Sequence, residues 1–554
     1  MLWAGGGTLR WHMSAELRGV LLGPDGLRLA EWLRDGAATV VKDGPHRAVY
    51  RVRLPGLDCH VKHYRLLGWR SRVRSMLRPI KARREYTIAA GLTARGIPTP
   101  QALAWGAEGT GVGPAASWLI TETVPDAVPL LTYLDGPSVA AAECRQKLAR
   151  SVGRFLARLH AAGVVHHDLH PGNLLVRIEP DGEPRLWLID LHALVLGPPC
   201  PWAVRRSNLV VFNRFFAIRA NRTDRLRCWH AYRAAAGSAI TEPAATAVRD
   251  LERSTLDSNQ AFWRARDARC LCSNRYYRRV STSAVRGHVV RDLDTAMVAQ
   301  LSADPDAPFH GSGVHVLKDA RSTTVVETDM EVGGATCRVI YKRFRVTDRL
   351  DPWLGLIRRS AALRSWVFGQ GLRERCLPTP RPLAVLHRVR GARPWEGYLL
   401  TEKVGGAVDL HEFVRRLALL APAVRTAELR RRAEALARLI RQLHARGLSH
   451  RDLKASNILT AEAAGDARFW FIDLVGVRRH RRVSRRRKLQ NLARLHVSFV
   501  AHALVTRTEK LRFLRAYLHA GLTGASGWKQ RWRAIAAATQ AKLAKNSRSG
   551  RPVA

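Results

Sequence analysis

His166-His167-Asp168 is followed, five residues after the aspartate, by Asn173, and Asp190 closes an apolar stretch 22 residues after Asp168. The same series returns as His450-Arg451-Asp452, Asn457 and Asp473. Carboxylate and amide oxygens are hard donors suited to a small divalent cation, and a carboxylate is also a proton acceptor. One carboxylate cannot serve both ends, because a lone pair spent on a metal is lost to the proton. A free Asp beside a separate Asn and Asp divides the two tasks. Upstream stand Lys62 in CHVKHY and Glu85 in ARREY; Lys342 in VIYKRF answers the lysine, but the position answering Glu85 is Ser365. A lone HxD would say little, whereas the ordered series present twice is specific.

Those residues need a scaffold, and the scaffold is written twice. VVHHDLHPGNLLV returns as LSHRDLKASNILT and LWLIDL as FWFIDL; WLITETV with Glu122 matches YLLTEKV with Glu402, and GIPTP matches CLPTP. RTDRLRCWHAY, ending at Tyr232, matches RTEKLRFLRAY, ending at Tyr517. Separations of 280 to 285 residues across five blocks indicate tandem duplication. Each copy opens on β-branched and aromatic runs that predict strands, such as 48–53 and 59–64, and closes on helical periodicity, as in SVGRFLARLH. Strands first and helices after predict an α+β domain, a small β-rich lobe on a larger helical one. The expected domains are 15–284 and 285–545, with a frayed basic tail after them, its polar character setting in at Ala544. The apolar stretch 187–204 reads as a buried strand followed by a loop.

The order of lysine strand, glutamate helix, HxDxxxxN and apolar-Asp resembles the protein-kinase-like superfamily. That resemblance implies two bilobal domains using ATP and Mg²⁺, with Asp168 and Asp452 as catalytic bases. It implies Asn173, Asp190, Asn457 and Asp473 as metal ligands, and Lys62, Glu85, Lys342, Glu122 and Glu402 on the nucleotide side. Neither copy has GxGxxG; the first offers only Gly44, so nucleotide contact there would rest on backbone amides of a tight hairpin. The HHDLHPGN form, with His170 where Ser/Thr protein kinases carry Lys, together with ARREY and GIPTP, most resembles the bacterial lipopolysaccharide kinase family of Kdo and heptose kinases. This implies a sugar hydroxyl as acceptor. Copy two, HRDLKASN, departs toward the protein-kinase form, and without a carboxylate at Ser365 it is expected to be the weaker or a regulatory copy.

The 554 residues are too many for one core and fit two domains. Hydrophobic residues at 46% and charged residues at 25% describe a folding chain and exclude a disordered one. With 92 Lys+Arg against 45 Asp+Glu, the net charge is +47, a field that draws anionic partners or that reflects Arg-rich coding alone. Eight cysteines without CxxC spacing indicate neither zinc nor a disulfide framework, and fit a reducing cytosol. No signal-like or membrane-spanning stretch is evident, so a cytoplasmic protein, peripheral on the inner face of the membrane, is expected. Two basic runs, 262–280 with Phe262, Trp263, Tyr276 and Tyr277, and 478–488 just after Asp473, would serve an anionic glycolipid, an anionic membrane surface or nucleobases. Three functions follow: a kinase of lipopolysaccharide core sugar or a related glycolipid, a Ser/Thr protein kinase with a regulatory second copy, or a non-catalytic nucleic-acid-binding scaffold. The first is favoured, because a scaffold has no need of Lys62, Asp168, Asn173 and Asp190 together.

Overall fold

The computed structural model describes residues 2–4, 9–66, 79–110, 113–136, 141–311, 313–347, 359–390, 393–461, 467–518 and 527–548. They fall into two compact units, Met1–Ser258 and Asn259–Ala554. In the first, a seven-stranded antiparallel sheet runs in the order Leu2–Ala4, Leu9–Met13, Ala102–Thr110, Gly113–Glu122, Leu57–Arg65, Arg47–Leu54, Ala38–Lys42. Side chains alternate along each strand, so Cys59 and Val61, facing the core of Trp11, Trp32 and Val52, leave Lys62 on the opposite face. Helix Lys81–Ala94 buries Ala82, Glu85, Ile88, Ala89 and Leu92, and its first turn packs with Tyr64, Trp105 and Leu119 on that same face. Each fully buried aliphatic side chain here contributes about 1.5–3 kcal/mol. Glu85 is the one acid on the buried stripe, and its placement beside Lys62 follows from the register of strand and helix.

The helical lobe is organised by Ala142–Ala161, whose buried Leu148, Val152, Phe155, Leu156 and Leu159 recur at helical spacing. The helix is followed by Gly163 at φ 72°, where a Cβ would meet the Gly197 carbonyl at 2.0 Å. Only glycine closes that turn. The chain then enters strand Val164–His166, paired with Leu194–Leu196, and this pair brackets the loop carrying Asp168 and Asn173.

The second unit repeats the plan: its sheet runs Tyr277–Ser281, Val285–Val290, Pro382–Arg390, Arg393–Glu402, Ala335–Phe344, Thr323–Val332, His315–Ala320. Lys62 faces Leu119 in one sheet and Lys342 faces Leu399 in the other, the same register. This unit thus begins upstream of residue 285, because strands 277–281 and 285–290 complete its sheet, and the units divide within helix Ala244–Arg269.

The segment 262–280 does not form the aromatic-basic surface read from its sequence. Trp263 is 2% exposed with the Arg375 guanidinium over its ring, and Tyr277 packs edge-on against Trp366. Helical periodicity turns Trp263, Asp267 and Cys270 inward together, leaving Tyr276 as the exposed ring. Arg375, 1% exposed, is held by both oxygens of Asp267 at 2.7 and 2.9 Å. Two smaller readings also change. The loop expected to end at 204 gives way to a helix at Trp202, once the prolines at 198, 199 and 201 are past, and the basic tail is helical to Arg548, with 549–554 outside the described residues.

The last repeated block, ending in Tyr232 and Tyr517, has a structural cause. His160 Nδ1 meets the Tyr232 hydroxyl at 2.8 Å and its Nε2 meets Asn208 Oδ1 at 3.1 Å, while Asn208 Nδ2 donates to the His166 carbonyl at 2.7 Å. In the second unit His444, Tyr517 and Asn491 repeat the distances, and Asn491 Oδ1 accepts from the His450 amide. The helical lobe is thereby tied to the strand that leads into each HxD loop. Burial pushes both His160 and His444 down to about 4, although the Asn partners oppose it. The unfolded chain, titrating near 6.5, binds protons first on acidification. These histidines therefore leave stability intact above about pH 6.5 and erode it as pH falls toward 4, by about 2 kcal/mol each between pH 7 and pH 5. Urea unfolding at the two pH values measures this; a His160→Gln chain is expected to show a shallower pH dependence.

Candidate functional site

In the first unit the sheet brings Lys62 to helix 81–94, and Nζ lies 3.1 Å from Glu85 Oε2. Glu85 is fully buried and its other oxygen accepts from the Tyr64 hydroxyl at 2.6 Å. Burial, and then the Glu85 charge, push the Tyr64 hydroxyl well above its ordinary range, so it stays a donor. Asp190 follows strand Pro184–Leu188 and sits at φ 61°, a left-handed backbone that non-glycine residues seldom adopt; Asp473 does the same at φ 53°. The Ile189 amide bonds the Asn173 carbonyl at 2.9 Å, joining the Asp190 turn to the catalytic-type loop.

The Asp190 carboxylate is fully engaged. Oδ1 accepts from Arg47 Nη1 at 2.7 Å and from His192 Nδ1 at 2.8 Å, and Oδ2 accepts from Arg47 Nη2 at 3.3 Å. Burial alone would raise this carboxyl, but the hydrogen bonds from His192 and Arg47 and the charge of Lys62 hold it well below the usual range. His192 is raised in turn, by its bond to Asp190. Asp168 is exposed: its amide donates to His166 Nδ1 at 3.2 Å and its carbonyl accepts from Asn173 Nδ2 at 2.8 Å, which leaves Asn173 Oδ1 for another partner. His170 Nδ1 accepts from the Gly172 amide at 3.0 Å, which assigns the ring proton to Nε2, 3.7 Å from Asp168 Oδ2.

Glu122 ends strand 113–122 with its side chain exposed, and its amide donates to the Gln101 carbonyl. Glu402 ends the matching strand, but its carboxylate accepts from Arg381 at 3.0 Å.

The second unit carries the same backbone with different chemistry. Where Tyr64, Glu85 and His192 stand in the first, it has Phe344, Ser365 and Val475; strand register places Thr323 where Arg47 stands. Ser365 is 3% exposed and its hydroxyl donates to the Ala361 carbonyl. Lys342, with no helix carboxylate to meet, lies 3.1 Å from Asp473 Oδ1 and holds that carboxyl below its ordinary range against the effect of burial. Asp452 is more encumbered than Asp168. Asn457 Nδ2 donates to its Oδ2 at 3.1 Å, and Arg494 and Lys454 stand 3.7 and 3.9 Å away.

Sequence reasoning paired Lys62 with Glu85 but missed Arg47, Tyr64 and His192. Tyr64 stands two residues after Lys62, on the same strand face, and the presence of Phe344 at that position in the copy that lacks the glutamate was a readable sign. Arg47 reaches Asp190 across 143 residues of sequence, which spacing alone does not reveal.

Among the described residues one trio of His, Cys, Asp or Glu side chains converges closely enough for a cation: Glu85, Asp190 and His192. Lys62 and Arg47 already neutralise its carboxylates. The run 478–488 forms strand Val477–Arg479 and, after Ser484, the start of helix Arg485–Val497, with most of its side chains exposed. No described helix is long and apolar enough to cross a membrane.

A model of the lipopolysaccharide kinase (Kdo/WaaP) family matches residues 38–232 and again 350–517. The lipopolysaccharide core heptose(I) kinase WaaP of Pseudomonas aeruginosa is 30% identical over 196 residues, 34% of this chain and 73% of that protein. The 3-deoxy-D-manno-octulosonic acid kinase of Stenotrophomonas maltophilia is 33% identical over 233 residues, 41% of this chain and 88% of that protein. A solved structure titled WaaP in complex with acyl carrier protein aligns with 45% of this chain and 98% of its own at 22% identity, with a TM-score of 0.32.

Proposed function

Because this chain belongs to the lipopolysaccharide kinase (Kdo/WaaP) family, we propose that its first unit moves the γ-phosphoryl group of ATP to a sugar hydroxyl of a lipopolysaccharide core or a related anionic glycolipid. The observation that supports the reading is the chain of contacts joining these residues: Lys62 meets Glu85 and its charge acts on Asp190, the amide before Asp190 bonds the Asn173 carbonyl, and Asn173 bonds the carbonyl of exposed Asp168. Asn173 and Asp190 offer the hard oxygen donors that Mg²⁺ prefers, and Asp190 already attracts a cationic partner in Arg47, so the residues fit the metal. When bound, Mg²⁺ neutralises phosphate charge and orients the transferred group.

The chain's own residues do the rest. Lys62, aligned by Glu85, meets nucleotide phosphate. Asp168 stands exposed, where it receives the proton of the acceptor hydroxyl as the new O–P bond forms. His170, its Nε2 proton facing Asp168, helps to orient that carboxylate. Phosphoryl transfer needs little else beyond alignment and charge stabilisation.

The second unit is the weaker catalyst, as Lys342 is spent on Asp473 and Asp452 is tied by Asn457. Its exposed arginines at 478–488 attract the phosphates of the glycolipid and an anionic membrane surface, placing the protein at the inner face of the membrane. Each such arginine contributes about 1 kcal/mol, screened within about 8 Å at physiological salt. Binding to phosphatidylglycerol-containing vesicles is therefore expected to rise with anionic lipid and to fall steeply between low and high salt; indifference to both removes the membrane from the reading. The function itself is tested by supplying purified chain and ATP with core glycolipid or with basic peptides, and weighing the products by mass spectrometry. Phosphorylated glycolipid supports the proposal, whereas phosphopeptide alone would transfer the chain to the protein-kinase reading.

A further inference from the structure

Asp190 presents a conflict that the rest of the cleft does not. Arg47 takes a lone pair on each of its oxygens, at 2.7 and 3.3 Å, and His192 takes the second on Oδ1, so the one lone pair left lies beside a guanidinium charge. Arg47 and a divalent cation therefore compete for Asp190.

Arg47 is placed to leave. It begins strand Arg47–Leu54, immediately after the hairpin whose tip is pinned independently of its side chain: the Arg65 guanidinium bonds Asp43 at 3.0 Å and the Gly44 carbonyl at 3.4 Å, and the Arg65 amide donates to the His46 carbonyl. Release of Asp190 by Arg47 therefore does not undo the hairpin. A guanidinium freed from a carboxylate offers the same planar pair of donors to a phosphate.

The second unit supplies the counter-example. Register puts Thr323 in place of Arg47, and there Lys342, the residue expected on the nucleotide, has moved onto Asp473 instead. The carboxylate of this turn thus takes a cation in both units, and the first unit uses a residue other than its phosphate-binding lysine. Lys62 stays on Glu85 while Asp190 is neutralised.

We propose that Arg47 is a place-holder for the metal: it neutralises Asp190 while the cleft lacks one, and it passes to the nucleotide phosphates when the metal takes the carboxylate. The inference rests on the reading of Asp190 as a metal ligand. It makes metal binding depend on nucleotide, because bare metal must displace a bidentate guanidinium that phosphates otherwise draw away.

The test uses the full chain with Asp473→Asn in every sample, so that one seat is counted, and Mn²⁺ as the probe, followed by its paramagnetic resonance signal. Without nucleotide, Arg47→Met is expected to bind Mn²⁺ at least about tenfold more tightly than the Arg47 chain, the loss of one charge-assisted pair. Arg47→Lys, still cationic, is expected to lie between them. In the same variants, affinity for metal-free ATP is expected to fall in the reverse order. Mn²⁺ affinity unaltered by Arg47→Met would overturn the proposal. Asp190→Asn separates the two levels: if it leaves Mn²⁺ binding in the presence of ATP unchanged, the metal reading of Asp190 has failed, and if it abolishes binding while Arg47→Met does nothing, only the place-holder has failed.

Discussion

Asp168→Asn is expected to lower phosphoryl transfer by about 10²–10⁴-fold, the usual worth of a positioned general base, with nucleotide affinity close to that of the unaltered chain. The separation follows from geometry. Asp168 is exposed and touches the cleft through its loop, whereas the groups assigned to the nucleotide, Lys62 on Glu85 and the Asp190 turn, hold one another without it. The amide side chain keeps the shape of the carboxylate and removes only its capacity to take a proton. Asp452→Asn is expected to cost far less, since Asp452 is already bonded by Asn457 and flanked by Arg494 and Lys454. Steady-state kinetics with the glycolipid acceptor and equilibrium nucleotide binding on both variants measure the difference. Equal turnover by Asp168→Asn and the unaltered chain would remove Asp168 from the chemistry.

The second large effect is on stability and lies in the second unit. Asp267→Ala leaves Arg375, 1% exposed, with a buried charge and no carboxylate; its remaining hydrogen bond is to the Gly371 carbonyl, and Trp263 lies under its guanidinium. Arg479, which also meets Asp267 at 2.8 Å, is released as well. Removing one partner of a buried pair costs about 3–5 kcal/mol, because the other charge stays desolvated. Denaturant unfolding read through hydrogen exchange of strands 323–332 and 335–344 measures this. The double change Asp267→Leu with Arg375→Met is expected to recover much of the loss, since no charge is then stranded. A single variant as stable as the unaltered chain would mean that water reaches Arg375.

The duplicated architecture was readable because repeated motifs, alternating strands and helical stripes are local patterns of side-chain direction. Lys62 and Glu85 were readable together because the strand and the helix each carry a single candidate. Arg47 was not, since its partner depends on how a hairpin folds over a turn 143 residues away. The misreading of 262–280 has the same root. Arginine and aromatic residues in one run suggest a surface, but only the helix phase, set by Asp267 and Trp263 facing Arg375, tells which of them are inside. His170 was singled out by its place in the motif, while its tautomer needed the Gly172 amide.

The buried hydroxyl of Tyr64 bears on how the two copies grew apart. A carboxylate at the Glu85 position is tolerable at zero exposure because two donors meet it, one from Lys62 and one from Tyr64. In the second copy Phe344 offers no hydroxyl, and Lys342 is engaged elsewhere. Ser365→Glu would therefore bury an acid with neither donor in place, at a cost of several kcal/mol. A carboxylate on this helix of the second copy becomes tolerable only together with a donor at Phe344 or the return of Lys342. The two copies thus differ by a linked set of residues, and no single substitution converts one into the other.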